Sequence, residues 1–383
     1  MTKANVVIGA NFGDEGKGLM TDYLSSKMDS PQVVLFNGGA QRGHTVGFPS
    51  GSRIVFHHFG SGTCAGAETY LSKFFLVNPI VFAQEQGVLN KYSPVVTLDP
   101  NCRITTPYDM IINQIVEEYR GRNRHGSCGL GINETTLRSE EIPLLAKDLS
   151  DPNKVKDILR GIQEYWVPQR LMKLDVVLIP PKWLKILHSE RLAYNFINDC
   201  TNFLKLVSFG EIKKDKEVIF EAGQGLLLDE NNRYFPYVTH SRTGLTNVLE
   251  LANEAGIDEL DVHYMTRWYA TRHGAGPFET ELKEKPSKKI EDPTNIPNIY
   301  QGTLRFGNLD VDLLKFSIQT DLAQATIPVN PSISVTCLDQ CEGDMEDQEH
   351  LDKISTTGIP IGHVSYGPSR ETVKSMSAST MVK

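Results

Sequence analysis

The first segment of the chain constrains its fold more than any other. A short apolar run, Asn5-Val-Val-Ile-Gly9, has the content of a strand buried on both faces. It passes through a glycine-rich turn, Ala10-Asn-Phe-Gly-Asp-Glu-Gly16, into a helical stretch over residues 17–27. Residues 31–36 read as a second strand that closes on Gly38-Gly39. Asp175-Val-Val-Leu-Ile-Pro180 and residues 217–220, 262–265 and 333–336 are further strand candidates. Residues 109–119 place Met110, Ile111, Ile115, Val116 and Tyr119 at helical spacing, and residues 191–207 repeat that period from Leu192 to Val207. Strands alternating with helices predict an α/β fold with a mostly parallel central sheet and helices on both faces.

Composition narrows the class. At roughly 100–200 residues per domain, 383 residues allow two or three units. No linker-like stretch divides them, so residues 1–383 are expected to form a single large domain. The net charge of −8 argues against a protein that coats nucleic acid, which needs a basic face. It leaves nucleotide-sized ligands open, because loop N–H groups and a few cations suffice for phosphates. No apolar run reaches the ~18 residues of a membrane span. The six cysteines, Cys64, Cys102, Cys128, Cys200, Cys337 and Cys341, contain no Cys-x-x-Cys pair. A reduced, cytoplasmic protein without disulfides or a zinc site is the expectation. Residues 281–299, with Pro286, Pro293 and Pro297, read as a loop, and the polar end from Glu371 as a segment that frays.

Chemistry concentrates in the glycine turns. Gly13-Asp14-Glu15-Gly16-Lys17-Gly18 lies between a strand and a helix start, where free N–H groups and the positive dipole end favour phosphate. The turn departs from the common nucleotide-binding loop. Asn11 stands where Gly is needed, and Gly18 replaces the Ser/Thr whose hydroxyl holds magnesium. Asp14 is the natural substitute. A second turn, Gly38-Gly-Ala-Gln-Arg-Gly43-His44-Thr45, adds a histidine, so Asp14 and His44 are candidate acid/base partners. Three more such turns follow, at residues 126–131, 221–225 and 271–277. Together they suggest an extended site gripping several anionic groups.

In their order along the chain, these motifs resemble the adenylosuccinate synthetase family. The resemblance also rests on Phe220-Glu-Ala-Gly-Gln-Gly-Leu-Leu-Leu-Asp229, Phe235-Pro-Tyr-Val-Thr239, Thr271-Arg-His-Gly-Ala-Gly-Pro-Phe278 and Ser365-Tyr-Gly-Pro-Ser-Arg370. It implies a P-loop-NTPase-like adenylosuccinate synthetase fold and a C–N ligase. In that family a nucleoside triphosphate phosphorylates O6 of a purine nucleotide, and aspartate displaces the phosphate. By matching, Asp14, His44 and Lys17 are the catalytic residues. Gly13, Glu15, Gly16, Lys17, Gly18, Gly43, Thr45, Asp339, Gly367 and Pro368 fall at positions for the triphosphate. Asp14, Gln41, Ser127, Cys128, Arg138, Gln224, Thr239 and His273 fall around the purine nucleotide, Arg138 as an arginine supplied across a homodimer interface. Gly302, Thr303 and Arg305 match the aspartate loop, and Asp14 with the Gly43 carbonyl the Mg²⁺ contacts.

The departures point within the family. Cellular members carry Asn where Gln41 stands, several arginines where this chain keeps only Arg305, and Lys where Cys337 precedes Asp339. With His57-His58, these changes look like the phage branch, the 2-aminoadenylosuccinate synthases, which join dGMP to aspartate. That reading implies ATP or dATP as donor and, for a phage-encoded chain, the host cytoplasm. IMP with GTP remains the alternative, because Asp14 is retained whereas several phage members have lost it. Nucleic acid and membranes are not expected partners.

Overall fold

The computed structural model describes residues 2–291, 295, 302–343 and 345–376. Its centre is a ten-stranded sheet. In chain order the strands are β1 (Lys3–Gly9), β2 (Pro31–Leu35), β3 (Glu68–Leu71), β4 (Val96–Leu98), β5 (Ser208–Phe209), β6 (Glu217–Gly225), β7 (Glu259–Arg267), β8 (Val329–Thr336), β9 (Ile361–Ser365) and β10 (Val373–Ser375). Their spatial order is β10-β9-β8-β7-β1-β6-β2-β3-β4-β5, so the first strand is flanked on both sides. Every pairing is parallel except β9 with β10.

Alternation along the strands builds two cores. Val7, Val33, Leu35, Leu71 and Ile219 face the layer that holds helix α1 (Lys17–Ser25) and the helices Pro107–Arg120 and Glu190–Leu204. Val6, Ile8, Val34, Phe220, Val262 and Tyr264 face the layer of Leu245–Ala255, Val311–Leu322 and Glu346–Ser355. The expected sheet covered on both faces is therefore present. Pro107–Arg120 starts cleanly, with a Thr106/Asp109 capping box and Pro107 in the first turn.

Two local expectations fail. Residues 175–180 form no strand, and Val177 and Leu178 are 88% and 76% exposed. Asp175 turns the chain at φ 56° between the helices Val167–Lys173 and Pro181–Leu187, away from any strand that would pair with the run. The β-branched content is real, but a strand needs a neighbour. At the other end, Val373–Ser375 pairs with β9 instead of fraying; residues 377–383 lie outside the described residues. The loop expected at 281–299 has no helix or strand over residues 281–291.

Candidate active site

The carboxyl ends of β1, β2, β6, β7, β8 and β9 lie along one edge of the sheet, where open α/β sheets bind ligands. β1 delivers the turn of residues 10–16. Gly13, Asp14 and Gly16 all hold positive φ, at 96°, 60° and 90°. Asp14 alone of the three has a side chain that resists this backbone. Four contacts hold the turn. Arg267 Nε donates to the Asp14 carbonyl at 2.5 Å, and Thr271 Oγ1 to the Gly13 carbonyl at 3.3 Å. Thr336 Oγ1 donates to the Glu15 carbonyl at 3.2 Å. Gly225, at the end of β6, packs so closely that a Cβ there would collide with the Asn11 carbonyl.

Within the turn, Glu15 Oε1 accepts from the Asn11 backbone N–H at 2.7 Å and from its amide at 2.8 Å. Burial raises the Glu15 carboxyl to about 7. Native Glu15 therefore holds its proton more tightly than the unfolded chain does. Its contribution to stability falls as pH rises from 4.5 through about 7, a penalty of roughly 3 kcal/mol once complete. Glu15→Gln should accordingly resist urea better than the parent at pH 8 and equally at pH 4.5. Equal unfolding midpoints at pH 8 would refute this assignment.

α1 opens on Gly16 with no side-chain cap, leaving first-turn N–H groups for a ligand. Lys17 is buried beside it, and burial pushes its ammonium pKa down. A Cβ on Gly18 would stand 2.9 Å from the Thr45 carbonyl and 3.1 Å from His44 Cβ. The hydroxyl residue missing at this position has no room, because the strand His44–Gly47 occupies its place.

His44 sits in a buried network. Its Nδ1 lies 2.6 Å from Glu221 Oε1 and 2.8 Å from Arg42 Nη2. Arg42 Nη2 also reaches Glu221 Oε2 at 2.8 Å, the Ser61 N–H donates to Oε2 at 3.1 Å, and the Ser61 hydroxyl donates to Oε1. Burial first, and the Arg42 charge second, push the imidazole down to about 3, so His44 is neutral. Burial alone would raise the Glu221 carboxyl, but Arg42, His44 and Ser61 outweigh it and hold it far below the usual range. With Nδ1 engaged, Nε2 is the nitrogen left for a ligand. Glu221 and Arg42 escaped the sequence reading, although a glutamate inside the apolar run of β6 is a signal in itself.

Beside this network lie two glutamines with unpaired amide atoms. Gln41 Oε1 and Nε2 and Gln224 Oε1 are buried without a hydrogen-bond partner. A Cβ on Gly38 would stand 3.0 Å from Gln41 Nε2 and 3.1 Å from Gln224 Oε1, so both amides close over one glycine. The Ser241 hydroxyl accepts from the Gly38 N–H at 3.0 Å, bringing the Thr239 segment alongside. His273 Nε2 is 3.3 Å from Asp14 Oδ2. The turn holding Ser127 and Cys128 meets the His273 turn, where the Ala275 N–H donates to the His125 carbonyl at 3.1 Å.

A sequence model of the family described as adenylosuccinate synthetase matches residues 6–341. The chain belongs to the adenylosuccinate synthetase family. The adenylosuccinate synthetase of Mesoplasma florum is 30% identical over 378 residues, spanning 94% of this chain and 82% of that protein. That of Acaryochloris marina is 32% identical over 290 residues, spanning 73% of this chain and 63% of that protein. Among solved structures, fully ligated adenylosuccinate synthetase from Plasmodium falciparum superposes with a TM-score of 0.74 at 18% identity, over 98% of this chain and 100% of that one. The succinoaminodeoxyadenylate synthetase of cyanophage S-2L, bound to dGMP and dATP, superposes with 0.64 at 14% identity, over 99% and 97%. Both likenesses concern the fold. Adenylosuccinate synthetases are C–N ligases acting on a purine nucleotide and aspartate.

One residue matched to the family does not fit. Arg138 is fully buried, and its guanidinium grips Asp109 at 2.9–3.2 Å and the carbonyls of Ile104 and Ile142 at 2.6 and 2.7 Å. It joins two helices inside its own chain and is not presented to a neighbouring subunit, so the homodimer expectation loses that support. Arg305 lies half-buried, bound to Glu281 at 2.5 and 2.7 Å and to the carbonyls of Gly274 and Gly276. Gly302 and Thr303 precede it in the same segment. Gly367 sits after β9, its carbonyl accepting from Ser365 and Thr372, and Pro368 packs on Gly47. Asp339 is exposed on the one-turn helix Leu338–Gln340 after β8. His58 is buried, its Nε2 accepting from the Asn78 N–H, while His57 Nδ1 lies 3.0 Å from the Ala40 carbonyl. All six cysteines are free, and no described helix is long and apolar enough to cross a membrane.

Proposed function

We propose that this ligase joins L-aspartate to C6 of dGMP, using ATP or dATP, to give N6-succino-2-amino-2′-deoxyadenylate. The observation that carries the reading is the unpaired buried Gln41 amide together with the unpaired Gln224 Oε1. Buried polar atoms without partners are costly unless a ligand satisfies them. A purine edge bearing both a 2-amino donor and ring acceptors does so, with Gln41 Oε1 taking the amino group. The phage enzyme of similar fold, bound to dGMP and dATP, lends support.

In this reading Asp14 removes the N1 proton, and O6 attacks the terminal phosphorus of the donor while the diphosphate leaves. His44 Nε2 faces O6 and steadies the transferring group, with Lys17 and the α1 N-terminus holding phosphate oxygens. The amino nitrogen of aspartate then attacks C6, and O6 departs with the phosphate. Arg305 and the Gly302-Thr303 backbone receive the aspartate carboxylates. The Asp14 carboxylate, 29% exposed, is a hard oxygen ligand of the kind Mg²⁺ takes alongside phosphate oxygens. Asp14 and the Gly43 carbonyl would supply its protein oxygens, and the bound ion would neutralise phosphate charge.

IMP with GTP is the second reading, favoured by the curated relatives, which are adenylosuccinate synthetases. Aspartate-dependent phosphate release decides between them across dGMP, GMP, IMP and dIMP. The dGMP reading requires the highest kcat/KM for dGMP and a shift of about tenfold toward IMP in Gln41→Asn. Turnover with IMP alone would overturn it.

A further inference from the structure

At the end of β7 a chain of hydrogen bonds leaves the catalytic turn and reaches the turn after β8. Arg267 Nε donates to the Asp14 carbonyl at 2.5 Å, and Arg267 Nη1 donates to Tyr269 Oη at 2.6 Å. The Tyr269 hydroxyl in turn donates to Gln340 Oε1 at 2.7 Å. Gln340 closes the one-turn helix Leu338–Gln340 that carries Asp339. A second tie runs in parallel, Trp268 Nε1–H to the Cys337 carbonyl at 2.9 Å. Cys337 enters that turn at φ 64°, and Asp14 stands at φ 60°, so both ends of the chain are left-handed non-glycine positions. Such positions persist only where their surroundings hold them.

The connection has the properties of a mechanical coupling. Tyr269 is almost fully buried, with Trp268 edge-on at 4.9 Å and Arg267 over its ring at 5.3 Å. Each link is a side chain with one direction of donation, so the turn at 337–340 moves only by breaking or dragging its neighbour. Gln340 is half-buried on a turn whose Asp339 is exposed.

We infer that Arg267, Tyr269 and Gln340 are positioning residues that make the placement of Asp14 depend on what occupies the 337–340 turn, the donor's nucleobase. This rests on the proposed function and on the family resemblance, which implies that Asp339 meets the donor's nucleobase. Occupation of the turn fixes Gln340, Gln340 fixes the Tyr269 hydroxyl, and Arg267 then pins the Asp14 carbonyl so that its carboxylate faces the purine. The donor's base thereby affects the chemical step as well as binding, a differential contact of the kind that coupling between sites requires.

The test is turnover of the full-length enzyme with three donors at saturation: ATP, GTP and inorganic tripolyphosphate, which has no base. In the parent, kcat is expected to be highest with its preferred nucleotide and about tenfold lower with tripolyphosphate. Tyr269→Phe keeps the ring and removes both hydrogen bonds. Its kcat with the preferred nucleotide should fall to the tripolyphosphate level, while KM for the nucleotide changes less than about threefold. Gln340→Leu, at the half-buried end, should repeat the effect with an unaltered melting temperature. A parent that ignores the base, or variants that keep the parent's donor dependence, overturns the inference. A parent with no aspartate-dependent turnover on any purine nucleotide would instead overturn the proposed function.

Discussion

Asp14→Asn is expected to lower aspartate-dependent turnover by about a thousandfold, the upper-middle range for loss of a general base. Asparagine keeps the size and the short polar side chain that tolerates a left-handed backbone, so the turn around φ 60° should survive. Its amide cannot take the N1 proton at neutral pH. Donor-nucleotide affinity, measured by isothermal titration, should change by less than about tenfold, because Lys17 and the α1 N-terminus remain. The two readouts separate chemistry from binding. Turnover within threefold of the parent would place the base elsewhere, and a loss of nucleotide binding alone would make Asp14 a phosphate-site residue.

The second large effect concerns Glu221. Glu221→Ala leaves the Arg42 guanidinium buried without its carboxylate, since Arg42 Nε and Nη1 already have no hydrogen-bond partner. Removing one member of a buried ion pair typically costs 3–5 kcal/mol, and His44 also loses its Nδ1 anchor. Stability and turnover should both fall, turnover by about a hundredfold. The double variant Glu221→Gln with Arg42→Met replaces the pair by uncharged groups of similar bulk, so stability should return while turnover stays low. Recovery of neither, or a loss below about 1 kcal/mol in the single variant, would contradict a buried, coupled pair. The pH dependence has a definite sign. Glu221 is held below its ordinary 4.5, so the pair's contribution is present above that value and disappears only as pH falls beneath it.

Much of this is legible in the sequence, and the reason is periodicity. Val6, Val7 and Ile8 could only belong to a strand covered twice, and the structure divides them between the two cores. The glycine turns likewise marked the site, because positive φ at Gly13 and Gly16 and the close approach at Gly225 leave no other residue type at ease. What stayed hidden depends on distant pairing. Short strands such as Val96–Leu98 carry too few residues for a pattern, and the exposed run at 175–180 has strand composition without a partner. Arg138 looked like a binding residue because an arginine's sequence context does not reveal whether Asp109 faces it. Arg267 and Tyr269 were missed for the same reason, since their partners lie 253 and 71 residues away.

The left-handed backbone at Asp14 has an evolutionary consequence. Glycine would adopt φ 60° without steric cost, so selection for stability alone pulls this position toward glycine, and in the proposed mechanism selection for activity opposes it. Asp14→Gly should give a chain that melts higher than the parent and turns over nothing. A lineage relieved of the need for a base here, by a nucleotide that ionises more readily or by another residue taking the proton, would drift away from aspartate first. This single backbone angle makes the residue at position 14 an indicator of whether a lineage still draws its base from this turn.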